Sequence, residues 1–210
     1  MRGHGPFRPS ATIGTVRLVL ASASPARLRL LRDAGLDPEV VVSGADETAD
    51  LPGDARSVVA TLAARKARAV AATLDGDAVV VGCDSMLLLD GALVGKPATA
   101  AEAVARWHAM RGRTGTLLTG HCVVRLPGGT EAAAVGETLV RFGTPSDAEV
   151  DAYVATGEPL RVAGAFTLDG RGAAFVDAIQ GDAGNVIGLS VPLLRRLLAD
   201  VGVPLVDLWR

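Results

Sequence analysis

The chain reads as a mixed α/β protein, a mixed sheet flanked by helices. Three observations predict this class. Strands and helices alternate through the first half. A long antiparallel hairpin then follows over 114–142. Hydrophobic residues make up 49% of the 210, enough for a sizeable core, and no apolar run approaches the roughly 20 residues that span a bilayer.

The elements follow in order. Residues 16–21 form a continuous apolar run with β-branched members, a buried strand. Residues 25–34 show helical spacing at Leu28, Leu31 and Ala34, and Gly35 is placed as a C-cap. A second strand is expected over 39–43, and a long Ala-rich helix over 54–74, ending before Asp75-Gly76. Residues 78–82 are another buried strand. Residues 87–94 form a hairpin, because Asp90-Gly91 supplies the positive φ angles of a tight primed turn. A helix over 99–110 precedes two strands, 114–126 and 130–142, joined at Pro127-Gly128-Gly129. Helices are expected over 145–156, capped by Thr144 or Ser146, and over 189–199. The Gly-rich stretch 157–188 is too irregular to assign, and such stretches in compact domains often carry function. Residues 16–210 are read as one domain. Residues 1–15, rich in Gly, Pro and Arg without an apolar segment, are read as a disordered leader and not a secretory signal.

Composition narrows the function. Aromatics are only 3%, so the core is expected to consist of Ala, Val and Leu. The formal net charge of −2 gives no support for broad nucleic-acid or membrane-surface binding. Few aromatics leave no stacking platform for single strands. A small anionic ligand needs only a local cluster of cations. Cys83 and Cys122 sit in apolar runs and read as buried free thiols, which fits a reducing cytoplasm. No Cys/His spacing resembles a zinc site, and His4, His108 and His121 suggest no triad. Neither a Walker-type phosphate loop nor a dinucleotide fingerprint is present.

Four constellations could carry chemistry. Ser22-Ala23-Ser24-Pro25-Ala26-Arg27 follows a strand and opens a helix. Ser24 suits the N-cap and Pro25 the first helical position, and the free N–H groups of that turn attract anions. Arg27 can hold a phosphate bidentately. The same residues also describe an ordinary Ser-Pro cap with a surface arginine. In Gly82-Cys83-Asp84-Ser85, a carboxylate ends an apolar strand, where α/β sheets place ligands. Asp84 could activate a water or hold a metal; a turn-forming aspartate is the plain alternative. Glu47 follows the second strand similarly, and the two acids could share one metal ion. Lys96, held out of helical geometry by Pro97, and Lys66 in the Ala-rich helix could neutralise phosphate charge, or each could be a solvated lysine. The fourth is the Gly-rich loop 180–189 before the last helix, either a connection or a ligand-facing loop.

Together these pieces resemble the Maf family of nucleoside triphosphate pyrophosphatases, in the family's order, from about Arg17 to Leu198. The motifs are Leu20-Ala21-Ser22-x-Ser24-Pro25-x-Arg27, Asp46-Glu47, Lys66-Ala67, Gly82-x-Asp84, Asp90-Gly91 and Gly95-Lys96-Pro97. Gly112-Arg113-Thr114, Thr119-Gly120, Tyr153 with Glu158-Pro159, Ala163-Gly164-Ala165, and Gly181-Asp182-x2-Asn185-Val186-x-Gly188-Leu189 complete the set. The resemblance implies an elongated mixed sheet with two lobes around a cleft, similar to inosine triphosphate pyrophosphatases. It implies a homodimer and a hydrolase acting on acid anhydrides, and the cysteine usage places it in the cytoplasm. That enzyme would split a nucleoside triphosphate into monophosphate and diphosphate with Mg²⁺, Mn²⁺ or a similar metal. By position Asp84 matches the catalytic acid. Ser22, Ser24, Arg27, Lys66 and Lys96 fall to the phosphate, and Glu47 with Asp84 to the metal.

The chain also departs from the family. Ala26 stands where many members have a basic residue. Ser85 follows the catalytic acid in place of Thr or Gln. Asp169 stands where the thymidine/uridine type has Gln. These three positions bear on base choice; Ser85 keeps the hydroxyl of Thr and leans towards dTTP or UTP, with a modified nucleotide the other candidate. Val162 stands where a lysine usually precedes Ala-Gly, removing one cation. The alternative function is a non-catalytic regulator of division that binds a nucleotide or protein.

Overall fold

The computed structural model describes residues 16–45 and 53–210. The leader expected at 1–15, and the metal candidate Glu47, lie outside the described residues. The elements are β1 (Arg17–Leu20), α1 (Pro25–Asp33), β2 (Glu39–Val40), α2 (Ala55–Ala71), β3 (Ala78–Leu89), β4 (Ala92–Val94) and α3 (Ala100–Met110). Then come β5 (Thr114–Leu126), β6 (Thr130–Phe142), α4 (Asp147–Ala155), β7 (Val176–Gln180), α5 (Ala183–Ile187) and α6 (Val191–Asp200). Short 3₁₀ turns fill Glu158–Arg161, Ala163–Ala165, Arg171–Phe175 and Leu205–Leu208.

The seven described strands form one mixed sheet, ordered β2-β1-β3-β5-β6-β7, with β4 added to β3. β1 lies parallel to β2 and β3; the remaining pairings are antiparallel. Local chemistry accounts for most ends. Ser24, Asp54, Thr99 and Ser146 each accept a backbone N–H as N-caps. Ser146 and Glu149 complete a capping box. At the end of α1, Gly35 takes φ +79, its N–H reaches Arg32 O, and Leu36 N–H reaches Leu31 O. This is a Schellman ending, with Gly35 one residue past the cap. Asp90 and Gly91 both have positive φ, the primed turn expected between β3 and β4.

Four expectations are corrected. β2 covers only Glu39–Val40, not 39–43. β3 does not stop at Gly82; pairing with β5 carries it through to Leu89, so Asp84 lies within a strand rather than at its end. The unassigned stretch 157–188 contains β7 and α5. The core is not wholly aliphatic: Trp107 packs edge-on against Phe142, Tyr153 and Phe175, and Phe142 against Phe166.

Side chains alternate along β3, which sorts the layers. Val79, Val81 and Cys83 join an aliphatic core with Leu31, Leu194 and Leu198 of α1 and α6. Farther along the same face, Leu87 and Leu89 join the aromatic core beneath α3 and α4. Val80 faces the alanines of α2 on the opposite side. Two lobes thus share one face of the long strands, with a cleft between them. Gly82 and Gly120 let α2 lie directly on the sheet: a Cβ on Gly82 would collide with Ala63 O, and one on Gly120 with Val59 O. The chain's last residues return to the first lobe, where Leu36 and Trp209 form an antiparallel bridge.

Candidate functional site

The cleft has a volume of about 410 Å³, and the 21–27 turn, Lys66 and Lys96 line it. β1 ends at Leu20, and β3 continues past it, so the cleft opens beyond the carboxyl end of β1. Asp84 lies beside that end inside β3, because the neighbouring strand stops and its own does not.

Consecutive residues of β3 feed opposite faces. Asp84, paired in register with Gly120, points to α2 and meets Lys66, Oδ1 to Nζ at 2.6 Å. Both side chains are under 10% exposed. Such an ion pair survives burial only with close geometry, and the bare glycines beneath α2 supply it. Ser85 points to α1, where its hydroxyl accepts from an Arg27 terminal nitrogen at 3.0 Å. Arg27 also donates Nε–H to Gly188 O at 2.7 Å and Nη1–H to Ser22 Oγ at 3.1 Å. Gly188 has φ +127, and a Cβ there would lie 3.1 Å from Arg27 Nε. Two of the five N–H groups of a guanidinium remain for a ligand.

The hydroxyls behind Arg27 form a chain with one direction. Thr119 Oγ1 donates to Asn185 O at 2.9 Å, so the 2.9 Å contact between Ser85 and Thr119 has Ser85 as donor. Arg27, Ser85, Thr119 and the Asn185 carbonyl therefore run donor to acceptor. Asn185 donates its amide to Leu117 O and Thr138 Oγ1, each at 3.2 Å, in space that a side chain on Gly136 would fill. His121, silent in the sequence, is buried below: Ser190 N–H donates to Nε2 at 2.8 Å, which leaves Nδ1–H to donate to Thr119 O at 2.9 Å. Burial pushes its pKa down to about 4, against the hydrogen bond to Thr119. Burial likewise pushes the Cys83 thiol up to about 11 and the Cys122 thiol up to about 12. Both cysteines are free and buried, as expected.

The structure brings most of the expected residues together. Ser22, Ser24, Ala26, Arg27, Lys66, Lys96 and Asp169 line the cleft. Asp84 and Ser85 stand behind the lining, reached through Lys66 and Arg27. Asp169 pairs with Arg29 of α1. The sequence reading missed Arg161, which also lines the cleft; its signal lay in the unassigned Gly-rich stretch. Among the described residues no three His, Cys, Asp or Glu side chains gather as a metal cage. Magnesium needs none, being held by one or two carboxylates and substrate phosphates; of the expected pair, the described carboxylate, Asp84, stands behind the lining with Oδ1 on Lys66 and Oδ2 available. No described helix is long and apolar enough to cross a membrane.

Fold and site define an α/β protein whose cation-lined cleft sits at a strand's carboxyl end beside a buried Asp–Lys pair. The chain belongs to the Maf family: residues 17–201 match the model described as Maf-like protein. A relative from Streptomyces coelicolor is 61% identical over 194 residues, 92% of this chain and 94% of the relative. One from Nocardia farcinica is 58% identical over 207 residues, 93% and 98% of the two chains. Both are named nucleoside triphosphate pyrophosphatase. A solved Mycobacterium abscessus nucleoside-triphosphatase, described as a dITP/XTP pyrophosphatase, matches with 18% identity and a TM-score of 0.41, covering 89% of this chain and 94% of that one.

Proposed function

We propose that this chain hydrolyses a nucleoside triphosphate between the α- and β-phosphates, releasing a monophosphate and diphosphate. The observation that carries the reading is the Asp84–Lys66 pair beneath the same cleft that Arg27 enters from the opposite face of β3. Relatives at 58–61% identity bear the corresponding name. Charge builds on the phosphate oxygens as the bond between the α- and β-phosphates breaks, and preorganised cations stabilise it best. Arg27 is preorganised by three protein acceptors, and the Ser22 and Ser24 hydroxyls share its turn. Lys66 carries its charge to the cleft wall. Asp84 accepts the proton of the attacking water.

A divalent ion such as Mg²⁺ or Mn²⁺, held by Asp84 with Glu47 and the phosphates, would add Lewis-acid stabilisation. Ala26 and Asp169, on the cleft lining, and Ser85 behind it remain the positions assigned to base choice, with dTTP, UTP or a modified nucleotide preferred. A cytoplasmic homodimer completes the reading, and light scattering tests the dimer. The test of function is a diphosphate-release screen over canonical, methylated and halogenated triphosphates with Mg²⁺ or Mn²⁺. Release from at least one triphosphate is expected. Nucleotide binding without turnover of any would favour the non-catalytic regulator.

A further inference from the structure

Most cations near the cleft are already engaged. Arg27 spends three N–H groups on Ser22, Ser85 and Gly188. Lys66 faces Asp84, Arg29 pairs with Asp169, and Arg106 with Glu102. Arg161 is different. It lines the cleft, is exposed, and its guanidinium has no hydrogen bond or ion pair among the described residues. The acids around it are taken. Glu158 accepts from Thr167 Oγ1 at 2.5 Å and from Gly172 N–H at 3.1 Å, with Arg171 at 3.8 Å, and Asp169 belongs to Arg29.

The backbone that carries Arg161 is nonetheless fixed. Gly164 N–H donates to Gly95 O at 3.0 Å, which stitches the 161–165 segment to the loop presenting Lys96. Arg106 donates to the same Gly95 carbonyl at 2.5 Å, and Trp107 Nε1–H donates to Ala165 O at 2.9 Å. The Lys96 ammonium, like the Arg161 guanidinium, has no partner among the described residues. Two unneutralised cations thus stand on one braced wall, facing the turn that holds Arg27. A cation on a fixed backbone keeps its full charge for an incoming anion and loses little backbone freedom on binding.

The geometry assigns to Arg161 the binding of the leaving diphosphate group, in concert with Lys96. This rests on the reaction proposed above. The guanidinium matches a phosphate bidentately where a lysine acts as a point charge, so the two residues are not redundant. The diphosphate is the more highly charged product and takes the unneutralised wall. The monophosphate stays with Arg27 and the Ser22–Ser24 turn.

The test is calorimetric titration of the full chain with inorganic diphosphate and, separately, with nucleoside monophosphate, alongside steady-state kinetics. Arg161→Gln should weaken diphosphate binding about tenfold and raise KM by a similar factor, with kcat and monophosphate binding little changed. Arg161→Lys should recover part of the loss. Arg195→Gln, an equal change of net charge on exposed α6, should leave both ligands as in the parent. Equal effects of Arg161→Gln and Arg195→Gln would overturn the assignment, as would loss of monophosphate binding in place of diphosphate. A parent chain that releases no diphosphate from any triphosphate sinks the reaction itself. A parent that turns over beside an unaltered Arg161→Gln sinks only this assignment.

Discussion

On the α1 and α2 side of the cleft, charged groups arrive already met by protein. Arg27 has Ser22, Ser85 and Gly188, and Lys66 has Asp84 at 2.6 Å, all at or below 9% exposure for the charged residues. On the opposite side the Lys96 and Arg161 side chains are exposed and unpartnered among the described residues. The difference separates two tasks. A buried, pre-bonded group holds its geometry through the reaction, as transition-state stabilisation requires. An exposed, unpaired cation gives up little protein contact to bind, and contributes attraction that salt screens. Changes on the buried side should therefore strike kcat, and changes on the open side KM.

The sharpest way to break this comparison is Asp84→Asn. Diphosphate release should fall about 10³-fold in kcat, with the circular-dichroism spectrum unchanged; retained turnover would remove Asp84 from the chemistry. Next is acid. His121 is held neutral with its pKa at about 4, below the 6.5 of a free histidine, so the unfolded chain binds the extra proton between those values. Stability is fully present above about pH 6.5 and declines as pH falls towards 4, by up to about 3 kcal/mol. Chemical denaturation across that range should show the decline, and His121→Gln should flatten it. A smaller effect belongs to Thr119→Val, which breaks the hydroxyl chain behind Arg27. We expect kcat/KM to drop about tenfold and Thr119→Ser to restore it; an unaltered value would show that Arg27 is positioned without the chain. Smallest is Lys96→Gln on the open side, with KM up several-fold, kcat within about twofold, and the difference shrinking in high salt. A kcat effect equal to that of Thr119→Val would erase the distinction between the walls.

Much of this was legible where chemistry is local. The cap at Ser24, the Asp90-Gly91 turn and the hairpin around Pro127-Gly128-Gly129 follow from residue types alone, and the structure repeats them. What needed the third dimension was set by partners. Gly82-Cys83-Asp84-Ser85 has a strand-ending composition, yet β5 pairs every one of these residues and carries the strand through. Gly82 is there for α2 to approach, not to turn the chain. β7 escaped notice because it is short, lies in a Gly-rich stretch and, among the described residues, pairs with β6 alone, so its sequence carries little apolar alternation. His121 and Arg161 gave no signal because their meaning lies in what surrounds them, a dry pocket for one and acids already engaged by other groups for the other. Of the site, the turn, Lys66, Asp84 and Lys96 were visible in sequence; the division of Asp84 and Ser85 onto opposite faces required the register.

The pairing of β3 has a mechanical side. β1 accompanies it only as far as Val81 and β4 joins at Leu87, so on that edge residues 82–86 have no strand neighbour among the described residues, while β5 backs them throughout. The wall with Arg27 hangs near one end of this bare interval, and the wall with Lys96 near the other. Strands carry a right-handed twist that varies with their neighbours. Torsion along the span that bears Asp84 would change the width of the cleft, as if the acid were mounted on the bar that carries both jaws.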